Sequence, residues 1–187
     1  MKHARKARGF SLLELLITLT IVAIVAAFAL PSLNSILQRG EQRAALSELI
    51  AIINLSRNTA IQEQTAVTLC PIGTNSKCTK DWNRPLTAFR DPQRARKIVH
   101  SDQVLRILEL SSTGTAKGRT GIRDYFRFRP SGFAEEAIGN IVWCPKNGDN
   151  RFASQIRINM GGRPFISQDS DGDGIPEDTY GKAITCG

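Results

Sequence analysis

One apolar segment near the N-terminus constrains this chain of 187 residues more than any other feature. It runs from Phe10 to Leu30 and contains one charged residue, Glu14, among its 21 residues. As an α-helix it would extend about 31 Å, which is close to the thickness of the hydrocarbon core of a bilayer. The segment therefore predicts a helix that spans a membrane.

The nine residues before this segment are basic and predict its direction. They contain Lys2, Arg5, Lys6 and Arg8 and no acidic residue. Because basic residues stay on the cytoplasmic side, we expect the rest of the chain to face the other side of the membrane. The chain carries a net charge of +8, and without these nine residues it has 21 basic and 17 acidic residues, or +4. Half of the basic excess therefore belongs to the N-terminal tip and is no evidence for a nucleic-acid partner.

Two kinds of processing compete for this N-terminus. A secretory signal peptide would be cleaved after small residues, and Ala27-Phe28-Ala29 could supply that site. Glu14 argues against it, because a carboxylate inside a bilayer costs about 2.5–3.5 kcal/mol and usually has a partner. A discarded signal would gain nothing from that cost, so we expect the helix to remain on the protein.

The residues at the start of the apolar segment resemble the leader of a type IV pilin. Gly9 is followed by Phe10, and Glu14 is then the fifth residue of the chain that begins at Phe10. The resemblance implies that a prepilin peptidase removes residues 1–9, that Phe10 is N-methylated, and that residues 10–30 form a transmembrane and filament-core helix. The new amine of Phe10 could pair with Glu14 of a neighbouring subunit and fix the register of the two helices.

The helix is predicted to continue through residues 31–64 as an amphipathic helix. Apolar residues recur there at helical spacing and should pack on a globular domain: Leu46, Leu49, Ile50, Ile53, Ala60 and Ile61. From residue 65 the pattern changes to short apolar runs separated by Gly, Pro, Asn and Asp, which predicts a β-rich head over residues 65–187. The predicted strands are Ala66–Cys70, Leu86–Phe89, Val104–Leu110, Asp124–Arg129, Asn140–Cys144, Ser154–Met160 and Pro164–Ile166.

Motifs in the head narrow the resemblance. Ala66-Val67-Thr68-Leu69-Cys70 follows the helix, a Phe-Arg-Phe-Arg-Pro-Ser-Gly stretch begins at Phe126, and Ile141-Val142-Trp143-Cys144 comes next. This order is similar to the GspH/FimT family of minor pilins and pseudopilins, and especially to its FimT/FimU-type branch. The resemblance implies an α+β fold, in which the long N-terminal helix packs on a head of two antiparallel sheets.

The resemblance also implies a role. The protein is expected to be a minor type IV pilin that takes part in the assembly and initiation of a pilus. The tip of the pilus is one place where it could be located. Its partners would be other major and minor pilins or pseudopilins, the prepilin peptidase and the inner-membrane assembly platform. It would cross the inner membrane once, with its head in the periplasm. A GspH-type minor pseudopilin of a type II secretion system is one alternative, and a DNA-binding pilus subunit for natural transformation is another. The sequence has neither a GxSxG nor a Walker A motif, so no enzymatic activity is expected.

Arginines in the head suggest how DNA could bind. Strand alternation places Arg123, Tyr125, Arg127 and Arg129 on one face, opposite two core phenylalanines. Guanidinium groups bind phosphate and an aromatic ring can stack on bases. The alternative is a charged strand face that only keeps the head soluble.

Arg157 and Arg163 would add to this candidate DNA surface. Some FimT-type members bind DNA through a C-terminal Gly-Arg-x-Arg stretch. Here Gly162-Arg163-Pro164-Phe165 keeps the first arginine and has phenylalanine in place of the second.

The four cysteines predict disulfides, because the head is expected outside the cytoplasm. Three pairings are possible, and we favour Cys70 with Cys78 and Cys144 with Cys186, which would hold the C-terminal segment to the sheet. Binding of a metal by four thiolates is the alternative. It lacks a CxxC pair and suits an oxidising compartment poorly.

An acidic segment from residue 169 to residue 178 resembles the start of an EF-hand calcium loop. Its candidate ligand positions are Asp169, Asp171, Asp173, Ile175, Glu177 and Asp178. The twelfth position holds Tyr180 where such a loop has Glu, so Glu177 or Asp178 would have to complete the ligand shell. Mg²⁺ fits less well because it is rarely held by an all-protein cage. The alternative is an acidic surface turn without an ion.

Overall fold

A computed structural model describes residues 11–110, 114–135 and 139–186. This part of the chain contains one α-helix, two short 3₁₀ turns and eight strands. The elements are α1 (Leu12–Gln62), β1 (Val67–Pro71), β2 (Leu86–Arg90), β3 (Val104–Leu108), β4 (Gly114–Arg119), β5 (Phe126–Phe128), β6 (Gly139–Pro145), β7 (Ser154–Ile158) and β8 (Pro164–Ile166), with 3₁₀ turns at Ser101–Gln103 and Asn150–Phe152.

Helix α1 is continuous over 51 residues and contributes to two compact units. The first unit extends to Gln38, and the second begins at Arg39 and contains the rest of the chain. In the first unit the large apolar side chains between Leu12 and Phe28 are all at least half exposed. By length and composition this helix is long and apolar enough to cross a membrane.

In the second unit one side of α1 is buried against the sheets. The buried apolar residues of this side follow the predicted helical spacing: Ala45, Leu46, Leu49, Ile52, Ile53 and Ala60. Polar contacts at the margins fix the helix in place. The Gln42 amide donates to Ser154 Oγ over 2.7 Å, and the Arg57 guanidinium donates to the carbonyl oxygens of Gly132 and Gly161 over 3.2 Å each.

The head consists of two four-stranded antiparallel sheets. Their strand orders are β3-β2-β1-β5 and β4-β6-β7-β8. Side chains from both sheets and from α1 meet in one core, which includes Leu49, Leu69, Phe126, Trp143 and Ile156. The predicted α+β architecture, a long helix packed on two antiparallel sheets, is therefore confirmed.

Strand β4, whose sequence is Gly-Thr-Ala-Lys-Gly-Arg, was not among the predicted strands. Two glycines and two charged residues make this stretch a poor strand by intrinsic preference. Tertiary packing explains the glycine at position 118, where a Cβ atom would lie 1.9 Å from the ring of Trp82. The Trp82 ring also meets Phe126 edge to face, with 6.1 Å between the ring centroids. β4 is thus a strand because it pairs with β6 and leaves room for this tryptophan.

Candidate functional site

The apolar first unit carries the candidate assembly site. Glu14 is exposed in the first turn of α1, where its backbone N–H donates to Ser11 Oγ over 3.2 Å. Gly9 and Phe10 lie outside the described residues, so the cleavage site and the methylated amine remain predictions. The side chains next to Glu14 are apolar and exposed: Leu12, Leu13, Leu15 and Leu16. A carboxylate in such a setting requires a cationic partner once the helix leaves water.

The prediction of one solvent-exposed basic face around strand β5 is wrong. Tyr125 is only 2% exposed and Arg127 only 4%. The loop after β2 covers this face of the strand, because Arg127 Nη2 donates to the carbonyl oxygen of Arg94 over 3.1 Å. The guanidinium groups of Arg96 and Arg127 lie 5.4 Å and 4.8 Å from the centre of the Tyr125 ring. Strand alternation placed these side chains on one face, but it could not show that a loop covers that face.

Asp91 is the buried ion-pair partner of Arg127, and it was not predicted from the sequence. It is 2% exposed, and its carboxylate lies 3.6 Å from Arg127 Nη2. The same carboxylate accepts hydrogen bonds from the Thr68 hydroxyl at 2.8 Å and from the backbone N–H groups of Ala95 at 2.7 Å and Arg96 at 3.0 Å. These contacts bind the loop to β1 and β5. The Asp-Pro pair at position 91 signals only a turn in the sequence, so nothing there indicated a buried ion pair.

The remaining arginines of the predicted face have partners within the head. Arg129 and Arg94 both pair with the buried Glu135, and the hydrogen bond from Arg129 lowers the pKa of that carboxyl. The Arg123 guanidinium donates to the Tyr125 hydroxyl over 2.7 Å. This cluster therefore stabilises the head and does not present a row of groups toward phosphate.

Arg157 and Arg163 do not extend that cluster. Arg157 belongs to β7 in the other sheet, and its guanidinium lies 5.9 Å from the centre of the Phe165 ring. Arg163 is exposed in the turn before β8. The residues predicted to bind DNA thus lie in or near β5 of one sheet and β7 and β8 of the other, and two of them, Tyr125 and Arg127, are buried.

The structure contains the two disulfides that we favoured from the sequence. Cys70 is bonded to Cys78 and Cys144 to Cys186, with Cα–Cα distances of 5.6 Å and 5.7 Å. The second disulfide joins the C-terminal segment to strand β6. No cysteine among the described residues remains for a thiolate metal site.

We predict that losing the Cys144–Cys186 bond destabilises the head more than losing the Cys70–Cys78 bond. The two bonds span sequence separations of 42 and 8 residues. From loop-closure entropy, the first bond should stabilise the folded head by about 4 kcal/mol and the second by about 2.5 kcal/mol. Two double variants, one with both cysteines of the first bond changed to serine and one with both cysteines of the second, test this. Denaturant unfolding measures how much the free energy of unfolding falls in each. Peptide mapping without reductant checks the bonds themselves, and free thiols at Cys144 and Cys186 in periplasmic protein would refute the pairing.

The acidic segment brings four of its predicted ligands together. Asp169, Asp171, Asp173 and Glu177 each offer an oxygen atom, and these oxygens lie within 4.8 Å of one another. Ile175 belongs to the same loop, where its backbone N–H donates to Asp173 Oδ1 over 2.7 Å.

Asp178 is not a member of this group. Its carboxylate accepts the backbone N–H groups of Tyr180 at 2.8 Å and Lys182 at 3.0 Å. The hydrogen bonds from Lys182 and Tyr180 lower its pKa. Of the two residues that could complete the ligand shell, the structure therefore brings in Glu177 and leaves Asp178 in the next turn.

Comparison with known proteins places these features in a family. A model of the Type II transport protein GspH family matches residues 45–162, and a model of the prokaryotic N-terminal methylation motif matches residues 4–30. The type II secretion system core protein G of Vibrio cholerae is 35% identical over 54 residues. That match covers 29% of this chain and only 37% of the relative.

Solved structures with a similar fold include the type IV minor pilin FimU of Pseudomonas aeruginosa in two crystal forms. One superposes with a TM-score of 0.50 at 20% identity and covers 70% of this chain and 90% of FimU. The other has a TM-score of 0.50 at 19% identity and covers 67% and 92%. The head match spans more than half of the chain, and the methylation motif precedes it. The chain therefore belongs to the family described as Type II transport protein GspH, and it carries the prokaryotic N-terminal methylation motif.

Proposed function

We propose that this protein is a minor type IV pilin that takes part in initiating pilus assembly. The observation that carries the proposal is an apolar helix that exposes Leu, Ile and Val on every side and carries Glu14 in its first turn. Such a surface must be covered either by lipid or by similar helices. A subunit that moves from the inner membrane into a filament meets both conditions in turn.

The partners follow from this surface. Before assembly the helix crosses the inner membrane, with the disulfide-bonded head in the periplasm. The prepilin peptidase and the assembly platform act on the protein at the inner membrane. In the filament, Glu14 pairs with the N-terminal amine of a neighbouring pilin, which specifies the register of the two helices.

The likeness of the fold to FimU supports a pilus role, since the match covers 90% of FimU. A minor pseudopilin of a type II secretion system is the second candidate. The family description and the match to core protein G favour it. The buried Tyr125 and Arg127 remove the observation that favoured a DNA-binding subunit.

Deletion in the native bacterium separates the two machines. A minor pilin gives loss of surface pili, counted by electron microscopy, with normal secretion of extracellular enzymes. If the protein is a pseudopilin, its deletion stops the secretion of extracellular enzymes and leaves the number of surface pili unchanged. Complementation with the intact gene is the control, and normal piliation together with normal secretion in the deletion strain would contradict both roles.

Processing provides a second prediction. We expect intact-mass and N-terminal peptide analysis of the membrane-bound protein to show methylated Phe10 as the first residue. Replacing Gly9 with a bulky residue should leave the leader attached, whereas the same change at Gly40 should allow normal cleavage. A mature chain that begins at Leu30 would show that a signal peptidase acts instead, and would contradict the pilin role.

A further inference from the structure

The acidic loop after β8 combines a cluster of carboxylates with a buried oxygen atom that has no partner. The cluster consists of Asp169, Asp171, Asp173 and Glu177. Three of these residues are exposed, but Glu177 is only 8% exposed. One carboxylate oxygen of Glu177 accepts the backbone N–H of Ser170 over 2.6 Å, and the other, Oε1, is buried with no hydrogen-bond donor. A buried carboxylate oxygen without a donor is costly, so its position needs a cause.

No basic side chain supplies that cause. Among the described residues, none of the four carboxylates forms an ion pair with Lys or Arg. The backbone N–H groups of Gly172 and Gly174 do donate to Asp169, at 2.7 Å and 2.8 Å, but they do not reach Glu177. Four acidic groups at this spacing repel one another unless a cation lies between them.

The spacing of the oxygens suits one calcium ion. Ca²⁺ binds oxygen at about 2.3–2.6 Å, so any two of its ligands lie at most about 5 Å apart. The four oxygens of this loop lie within 4.8 Å of one another. We propose that Asp169, Asp171, Asp173 and Glu177 bind one Ca²⁺, which provides the missing partner of Glu177.

The rest of the head holds the loop in place for this ion. The backbone N–H of Glu177 donates to the carbonyl oxygen of Gln168 over 3.1 Å, so the two ends of the loop meet. Ile184 is buried, and its N–H donates to the carbonyl oxygen of Pro176 over 2.9 Å. Together with the Cys144–Cys186 bond, these contacts hold Glu177, the ninth residue of the loop, beside the aspartates. Glu177 can then replace the ligand that such loops usually have at the twelfth position, where this chain has Tyr180. The ion would therefore join the two ends of the C-terminal loop.

Titration of the full-length protein in detergent tests the site. The protein is stripped with EDTA and titrated with CaCl₂ in a calorimeter at physiological salt. We expect one saturable site with a Kd of about 10⁻⁴–10⁻³ M, the range of extracellular calcium modules. Ca²⁺ at 100 times the Kd should reduce the unfolding equilibrium constant about 100-fold and raise the melting temperature. MgCl₂ should bind at least about tenfold more weakly, because Mg²⁺ keeps its waters.

Matched variants connect the binding to these residues. Asp171→Asn and Glu177→Gln should each weaken Ca²⁺ binding about tenfold or more, and the circular dichroism in EDTA should match that of the wild type. Asp178→Asn removes the same charge nine residues from the start of the loop and should bind as the wild type does. The proposal is overturned if the wild type shows no saturable calcium binding at 10 mM, or if Mg²⁺ binds equally well. It is also overturned if Asp178→Asn weakens binding as much as Asp171→Asn does.

Discussion

Replacing Arg127 with methionine is expected to lower the free energy of unfolding of the head by about 3–5 kcal/mol. Methionine replaces the aliphatic part of the arginine side chain but leaves the Asp91 carboxylate buried without its ion-pair partner. The change also removes one of the guanidinium groups next to the Tyr125 ring and the donor to the carbonyl oxygen of Arg94. The loop after β2 should then separate from strand β5 before the rest of the head unfolds.

Denaturant unfolding of the full-length protein in detergent measures this loss, with fluorescence of Trp82 and Trp143 as the signal of the head. Arg163→Met is the matched control. That arginine is exposed, so its replacement should change stability by no more than about 0.5 kcal/mol. A double change, Arg127→Met with Asp91→Asn, should recover part of the loss, because no buried charge then remains alone and the amide oxygen can still accept a hydrogen bond from the loop backbone. Equal stability of Arg127→Met and the wild type would show that the ion pair is not needed.

Replacing Glu14 with alanine is expected to reduce incorporation into filaments about tenfold or more, while cleavage and membrane insertion continue. Alanine makes the helix more apolar, so insertion becomes easier. The amine of the neighbouring subunit then lacks its partner in an apolar setting, at a cost of about 2.5–3.5 kcal/mol. The measurement is the share of the protein in sheared filaments relative to the membrane fraction.

Glu41→Ala provides the comparison for this experiment. Glu41 is an exposed acidic residue of the same helix, beyond the apolar segment. Its removal should leave incorporation at the wild-type level. If Glu14→Ala also enters filaments at that level, Glu14 has no role in helix register.

Local patterns predicted most elements of this fold. Period-two alternation and turn residues located seven of the eight strands, and helical spacing identified the buried side of α1. Strand ends differed by at most two residues; β5, for example, is shorter than predicted. β4 was missed because its glycines serve packing against Trp82 and pairing with β6, and neither is local in sequence.

The candidate sites differ in how well the sequence predicted them. The acidic loop is local in sequence, so its ligand positions could be located in advance. The choice between Glu177 and Asp178 depended on the turn that binds Asp178 to Tyr180 and Lys182. The prediction of a basic face was wrong for a different reason. A loop that lies earlier in the chain covers this face, and Arg127 donates to the carbonyl oxygen of Arg94 across a separation of 33 residues.

The sequence by itself determined that this chain has an apolar helix able to span a membrane, a pilin-type leader motif, and a head rich in short strands. These features depend on length, hydrophobicity and residue spacing, which are properties of neighbouring residues. Only the tertiary structure decided that Arg127 and Asp91 form a buried ion pair, and that Glu177 joins the aspartates of the acidic loop. The physical reason is that burial and charge pairing depend on which segments meet in space, and the loop that covers Arg127 lies about 33 residues earlier in the chain.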